Sequence, residues 1–316
     1  MTFLNTIKIV MANFAAVWKL LLYYVICLAV LLTSLCFAAA PVFDVLRDAG
    51  IFADMLDMLK GIFGDSSVTA SIAVPGNAFA NAFDVLGDNM ATLAPYIVIV
   101  MLMLFVVIPF VLGLAEIAVG ETLYGYMSSQ TKYSFSRSFI SKVGKASLLQ
   151  LAKLLVLIPI NIIVILEVYG VLQLIASDSV GLVFAAFLIL LITIVTLAVK
   201  EAIFSCWMPA MLVLDIGPFK ALKKNMRIVL RKFFRIFSTN FVLILAMFAV
   251  NVFFGVFTLG IALVITVPLT TFVFIVSGMV TYFNEQGMKF YVTHGAIYEP
   301  KRMEEQDGIV RLKKIV

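Results

Sequence analysis

A charged or amide side chain inside a long apolar stretch is the first place to look for chemistry, because removing it from water is costly. Asn161, Glu167 and Gln173 stand within one such stretch. Pro159 precedes Asn161 and frees a backbone carbonyl in the same run. Glu167 lies 14 residues beyond Lys153, about 21 Å along a helix. Such residues could line a polar path, with Glu167 as its ionisable member. They could equally hold neighbouring helices together by hydrogen bonds, the commoner use of polar groups in membranes. Three more acids, Glu116, Glu201 and Glu285, are spaced by 85 and 84 residues, and each closes an apolar run. They read as acids at the inner membrane interface. Lys153 and Lys200 are expected to snorkel to that same level, where Glu116 and Glu201 could pair with neighbouring basic residues.

The second chemical feature is cationic. Residues 217–238 read GPFKALKKNMRIVLRKFFRIFS. Lys220, Lys223, Lys224, Arg227, Arg231 and Arg235 recur at helical spacing and share one face. Phe219, Leu222, Met226, Val229, Leu230, Phe233 and Phe237 take the opposite side. A helix of this kind lies in the interface, with rings at the acyl boundary and cations toward anionic headgroups. It could contact lipid or a protein partner, or it could serve only as an elbow between two spans. Nucleic-acid binding is not expected beside so much apolar surface. Residues 132–146 repeat the pattern weakly, with Arg137, Lys142 and Lys145 around Phe135, Phe139 and Val143; the serines and Gly144 predict a poorer helix.

Enzymatic signatures are missing. The only histidine, His294, excludes histidine triads and HExxH metal sites. Cys27, Cys36 and Cys206 are odd in number and widely spaced, neither a disulfide framework nor a zinc set. No G-x-S-x-G elbow, P-loop or dinucleotide fingerprint occurs. The expectation is a protein that is not an enzyme and needs no cofactor.

These side chains must be positioned by membrane helices. The chain has 316 residues, 63% hydrophobic and 13% charged. A soluble domain is about 45–50% apolar and about 25% charged, so a water-soluble globule is excluded. A span needs roughly 20 apolar residues. Uncharged runs cover 20–43, 89–115 and 179–199, and 154–177 is interrupted only by Glu167. Residues 236–284 form a run too long for one crossing, so a turn is placed near Thr258, Leu259 and Gly260. Six helices follow, near 18–40, 94–118, 148–175, 179–200, 239–258 and 261–283. The predicted fold is an all-α polytopic bundle of three hairpins with interfacial amphipathic helices, a single membrane domain over 1–316. Residues 202–214 either extend the fourth helix or bend back along the interface. Ala38, Ala39 and Ala40 resemble a cleavage site, but the preceding run is long for a signal sequence and is read as a retained span.

Asp215 and Gly217 opening a basic helix with an Ala221–Leu222 pair, and the stretch SFSRSFISKVGKA, carry a resemblance. Over roughly 94–290 the chain is similar to uncharacterised bacterial six-span membrane families. Those include the DUF975-like and YciC-like proteins and the membrane domain attached to some glycerophosphodiester phosphodiesterases. The resemblance implies a six-span bundle and transfers no catalytic residue.

The segment between the first two spans, 41–93, holds Arg47, Lys60 and seven aspartates. Two apolar stripes, Phe43 to Phe63 and Phe79 to Leu86, predict short amphipathic helices on the outer surface. Of 23 Lys and Arg, all but Arg47 and Lys60 fall on the other side of a six-span topology. Both termini, including a tail from 286 to 316, are therefore expected in the cytoplasm of a cell with this protein in its plasma membrane. Ser67→Cys or Asn77→Cys, in a background without the native cysteines, is expected to react with a membrane-impermeant maleimide in intact cells. Labelling only after lysis would invert the topology.

Overall fold

The computed structural model describes residues 2–53, 56, 81–176 and 182–300. Much of the outer segment, with Asp54, Asp57, Asp65 and Phe79, and the tail beyond Pro300 lie outside the described residues. Among the described residues, 6 helices are long and apolar enough to cross a membrane: Ala15–Asp48, Met90–Ser129, Phe135–Glu167, Phe187–Leu214, Pro218–Phe257 and Leu263–Gln286. The chain is a multi-pass, all-α membrane protein, with one two-stranded sheet as its only other regular element among those residues.

The helices are α1 (Thr2–Ala12), α2 (Ala15–Asp48), α3 (Met90–Leu102), α4 (Ile108–Gly113), α5 (Ala115–Ser129), α6 (Phe135–Ala176), α7 (Leu182–Phe204), α8 (Trp207–Leu214), α9 (Pro218–Phe257) and α10 (Leu263–Gln286). Between α3 and α4, Met103–Val107 is wound as a π-helix. Pro109 follows, with no N–H to offer the carbonyl four residues back at Phe105, and a widened turn is a common response. The backbone gathers into two compact units. One comprises Met1–Cys27, Phe110–Leu155 and Leu197–Val316; the other comprises Leu28–Pro109 and Val156–Thr196.

Several boundaries differ from the sequence expectation, each for a local reason. α6 has 42 residues and α9 has 40. At 1.5 Å per residue both are about 60 Å long, twice the hydrocarbon thickness. The two basic stretches are thus the leading portions of long helices, not separate elements. Residues 135–146 are helical through Gly144, since one glycine costs only about 1 kcal/mol in a helix otherwise free of breakers. In α9 the backbone leaves helical geometry at Lys232 (φ −134°, ψ 26°). The kink separates the basic stretch from the span. Likewise α2 continues through Pro41 to Asp48, so Phe43 and Leu46 extend the first span and form no separate helix.

Residues 202–214 extend the predicted fourth helix, α7, only as far as Phe204. The helix breaks at Ser205 and Cys206, and α8 follows, with Trp207, Met208, Pro209, Ala210 and Met211 all buried. Pro209 explains the break. It has no N–H for the Ser205 carbonyl four residues back, and its ring would collide with that carbonyl. In an apolar setting every freed backbone group needs a partner. Ser205 Oγ donates to the Ala202 carbonyl at 3.1 Å. Asn225 of α9 donates from Nδ2 to the Ile203 carbonyl at 2.6 Å. Its Oδ1 accepts from the Cys206 N–H at 3.0 Å. The Ser205 carbonyl faces Gly278 of α10, where a Cβ would lie 2.4 Å from the oxygen. Only glycine permits that approach.

The turn between α9 and α10 falls where expected. Leu259 (φ 51°) and Gly260 (φ 88°) take the left-handed conformation. Thr258 Oγ1 caps the next helix by accepting from the Ala262 N–H at 2.9 Å. Two elements were not anticipated. α1 packs against α10 and the strand Phe290–Thr293, with Thr6 and Ile9 fully buried, and Asn284 donates to Thr2 Oγ1 at 3.3 Å. After Gly287, the tail returns as an antiparallel hairpin, β1 (Phe290–Thr293) and β2 (Ala296–Tyr298). Phe290 is buried, with its ring 5.7 Å from Phe283 and 5.2 Å from Tyr298. The tail expected from 286 onward is therefore packed structure as far as Tyr298.

Asn225→Ala removes both partners of the α7–α8 break. Each orphaned backbone group costs about 1–3 kcal/mol. The expected result is a lowered thermal midpoint in detergent, while Lys223→Ala on the exposed side of the same helix changes it little. Equal midpoints for the two variants would show that the break does not need Asn225.

Candidate functional site

The basic stretch of α9 begins at Gly217, an extended N-cap, with Pro218 in the first turn, where its missing N–H is harmless. From Pro218 to Arg231 the helix is uninterrupted, and at about 100° per residue it presents three sectors. Ala221, Asn225, Ile228 and Val229 make one, and all four are buried. Phe219 and Leu230 lie in a second, 62% and 73% exposed. Lys220, Lys223, Lys224, Arg227 and Arg231 fill the third, an arc of about 100°. Beyond the kink, Phe234 is 83% exposed. Here exposed means uncovered by protein.

The two-sided expectation is therefore refined. Val229 does not face lipid; it joins Ala202 and Ile236 in a core flanked by Phe233 and Phe237. Asn225, which stands among the cations in sequence, belongs to the protein-facing side. Its spacing from Ala221, Ile228 and Val229 (i, i+4, i+7, i+8) is the signal that could have placed it there.

The cations divide into two groups. Arg235 lies 3.5 Å from Glu285, so it is tied within the protein. Lys142 is 3.7 Å from Glu121, and Lys289 is 2.7 Å from Glu299. Lys145 pairs with Asp215, whose carboxyl is held below the usual carboxylate range first by that hydrogen bond and then by the ammonium charge. By contrast, among the described residues no carboxylate lies within 4.0 Å of Lys220, Lys223, Lys224, Arg227 or Arg231.

Lys153 pairs with Glu116, one of the two acids expected to meet neighbouring basic residues; the two side chains are only 18% and 17% exposed. Gln150 completes the arrangement. Its Nε2 donates to Glu116 Oε2 at 2.9 Å and to the Gly113 carbonyl at 2.8 Å. That carbonyl stands at the turn between α4 and α5, so a carboxamide again serves a helix break. Glu201 feels the charges of Lys200, Lys153 and Glu116. The three recurring glutamates thus share a fate, each beside basic side chains. Glu285 differs from the other two in being followed, among the described residues, by the β-hairpin and not by a further helix.

The intramembrane polar residues do not converge. Glu167 accepts from Thr196 Oγ1 at 3.3 and 3.2 Å. Gln173 donates to Tyr169 Oη at 3.1 Å and is exposed. Asn161 is half-buried. Spaced six residues apart on one helix, the three point about 120° from one another. One face of α6 cannot offer all of them to a common path. Among the described residues no group of three or more His, Cys, Asp or Glu could hold a metal ion.

Breaking a buried pair leaves the remaining charge uncompensated, at about 3–5 kcal/mol. Glu116→Gln and Lys153→Met are each expected to lower the thermal midpoint strongly, and the double variant to recover most of the loss. A double variant as unstable as the sum of the singles would mean that the two groups act separately. No protein-family model, curated protein or solved structure matches the chain.

Proposed function

We propose that this integral membrane protein is a non-enzymatic accessory or assembly component of the plasma membrane, whose basic helix engages anionic lipid headgroups at the cytoplasmic face. The observation that carries the reading is the set of five cations on α9 with no carboxylate within 4.0 Å among the described residues, beside the uncovered side chains of Phe219 and Leu230. Lys142, Lys145, Lys153, Arg235 and Lys289 of the same unit are paired, whereas Lys8, Lys19, Lys132, Arg137, Lys200 and Lys232 are scattered single cations, so what sets the sector apart is five cations gathered on one helix face. Apolar side chains at the acyl boundary and cations at the headgroups satisfy both halves of the helix at once. The kink at Lys232 supports this reading, because it lets 218–231 follow the membrane surface while the rest of α9 crosses.

The charge distribution supports the orientation. All Lys and Arg except Arg47 and Lys60 belong to the unit that contains the basic helix and both chain ends. Positive residues collect on the cytoplasmic side of membrane proteins, which supports a cytoplasmic position for the termini and the α9 sector. A protein partner would meet the same surface through acidic groups of its own.

Each cation near an anionic leaflet contributes roughly 1 kcal/mol. The combined variant Lys223→Gln, Lys224→Gln, Arg227→Gln and Arg231→Gln is expected to lose at least about tenfold in retained phosphatidylglycerol relative to phosphatidylcholine. Mass spectrometry of the purified protein with its bound lipid reads the ratio. An unchanged ratio would leave the helix as an elbow between spans and nothing more.

A further inference from the structure

Resting on that headgroup reading, we infer that the α9 sector selects a lipid carrying two phosphodiester groups on one headgroup, in preference to singly charged lipids. The first ground is density of charge. Lys220 to Arg231 places five cations, none paired with a carboxylate of the described residues, within 12 residues, about 17 Å of helix. A single phosphate reaches one or two of them and leaves the others facing one another, whereas a paired phosphate compensates neighbours together.

The second ground is spacing. Lys223, Arg227 and Arg231 stand one turn apart in succession and are exposed. Residues four apart on a helix have Cβ atoms roughly 5–6 Å apart. Two phosphates joined by a three-carbon glycerol bridge can occupy successive turns of that row. Arginine at two of the three positions matters, because its planar fork takes two phosphate oxygens at once while lysine offers a point charge. Once the first phosphate is bound, the second is held near by its tether, so its contact needs no new encounter.

The third ground is apolar area. Phe219 stands at one end of the row, and Leu230 and Phe234 at the other, all largely uncovered. Phe219 and Leu230 are separated by 11 residues, again about 17 Å along the axis. A two-phosphate lipid brings four acyl chains under one headgroup and covers both ends of that strip.

The test titrates the full-length protein in neutral-lipid nanodiscs with tetraoleoyl cardiolipin or dioleoyl phosphatidylglycerol, at equal phosphate concentration. The two-phosphate lipid is expected to bind about tenfold tighter. Arg227→Gln with Arg231→Gln is expected to bring that preference down to about twofold or less, while Lys220→Gln leaves most of it in place. Arg227→Lys with Arg231→Lys, which keeps the charge, is expected to hold phosphatidylglycerol near the wild-type level and to lose part of the preference. Thermal midpoints equal to wild type establish that the variants are folded. Equal affinity for both lipids at equal phosphate would overturn the two-phosphate assignment and leave the headgroup reading standing. Retention of neither lipid above phosphatidylcholine would overturn both.

Discussion

A broken helix in an apolar medium exposes backbone groups that nothing around it can satisfy, and the organisation of this protein follows from how that is solved. Two chain-crossing segments are interrupted, one after Gly113 and one at Ser205–Cys206. At both, a carboxamide from the next long helix supplies the missing partner: Gln150 for Gly113, and Asn225 for Ile203 and Cys206. The residues are not at equivalent positions in their helices, and one is Gln while the other is Asn. The shared feature is the physical requirement. Each carboxamide can donate and accept, so it can serve a carbonyl and an N–H, or a carbonyl and a carboxylate, from a single side chain.

Meeting that requirement also orients the basic helix. Asn225 reaches Ile203 and Cys206 only if the Ala221–Val229 side of α9 faces α8, and this rotation turns the cations away from the protein. The same residue that stabilises the break therefore leaves Lys223, Arg227 and Arg231 exposed and, among the described residues, without a carboxylate partner. Gly278 and Pro209 act from the other elements at the same point. Proline makes the break, and glycine lets α10 approach the carbonyl that the break leaves. Lys153 and Glu116 show the opposite treatment of charge: a mostly buried pair whose ammonium and carboxylate neutralise each other, with Gln150 donating to Oε2, an oxygen that Lys153 also contacts.

Much of this was legible in the residues. Apolar run lengths located all six crossings, and the turn at Thr258–Gly260 was placed within its own residues, because a run twice the bilayer thickness must fold back. The cationic stripe was visible from spacing alone. What escaped was of another kind. Asn225 looked like one more polar residue in a basic stretch, Lys153 like a snorkelling cation with either Glu116 or Glu201 as its acid, and residues 135–146 like a weak helix. The partners that decide each case, at Cys206, Glu116 and along α6, lie far away in sequence or emerge only from the continuity of the helix.

Composition and hydropathy determined that the chain crosses a membrane six times, because transfer of apolar surface depends on residue type and length and hardly on who the neighbour is. Charge placement along the chain likewise needed no fold. Tertiary structure alone decided which polar groups are paired and which are free. Hydrogen bonds and ion pairs act over a few ångströms and require direction, so whether Arg231 stands bare while Arg235 meets Glu285 depends on how α9 is turned against its neighbours, and that is absent from the order of residues.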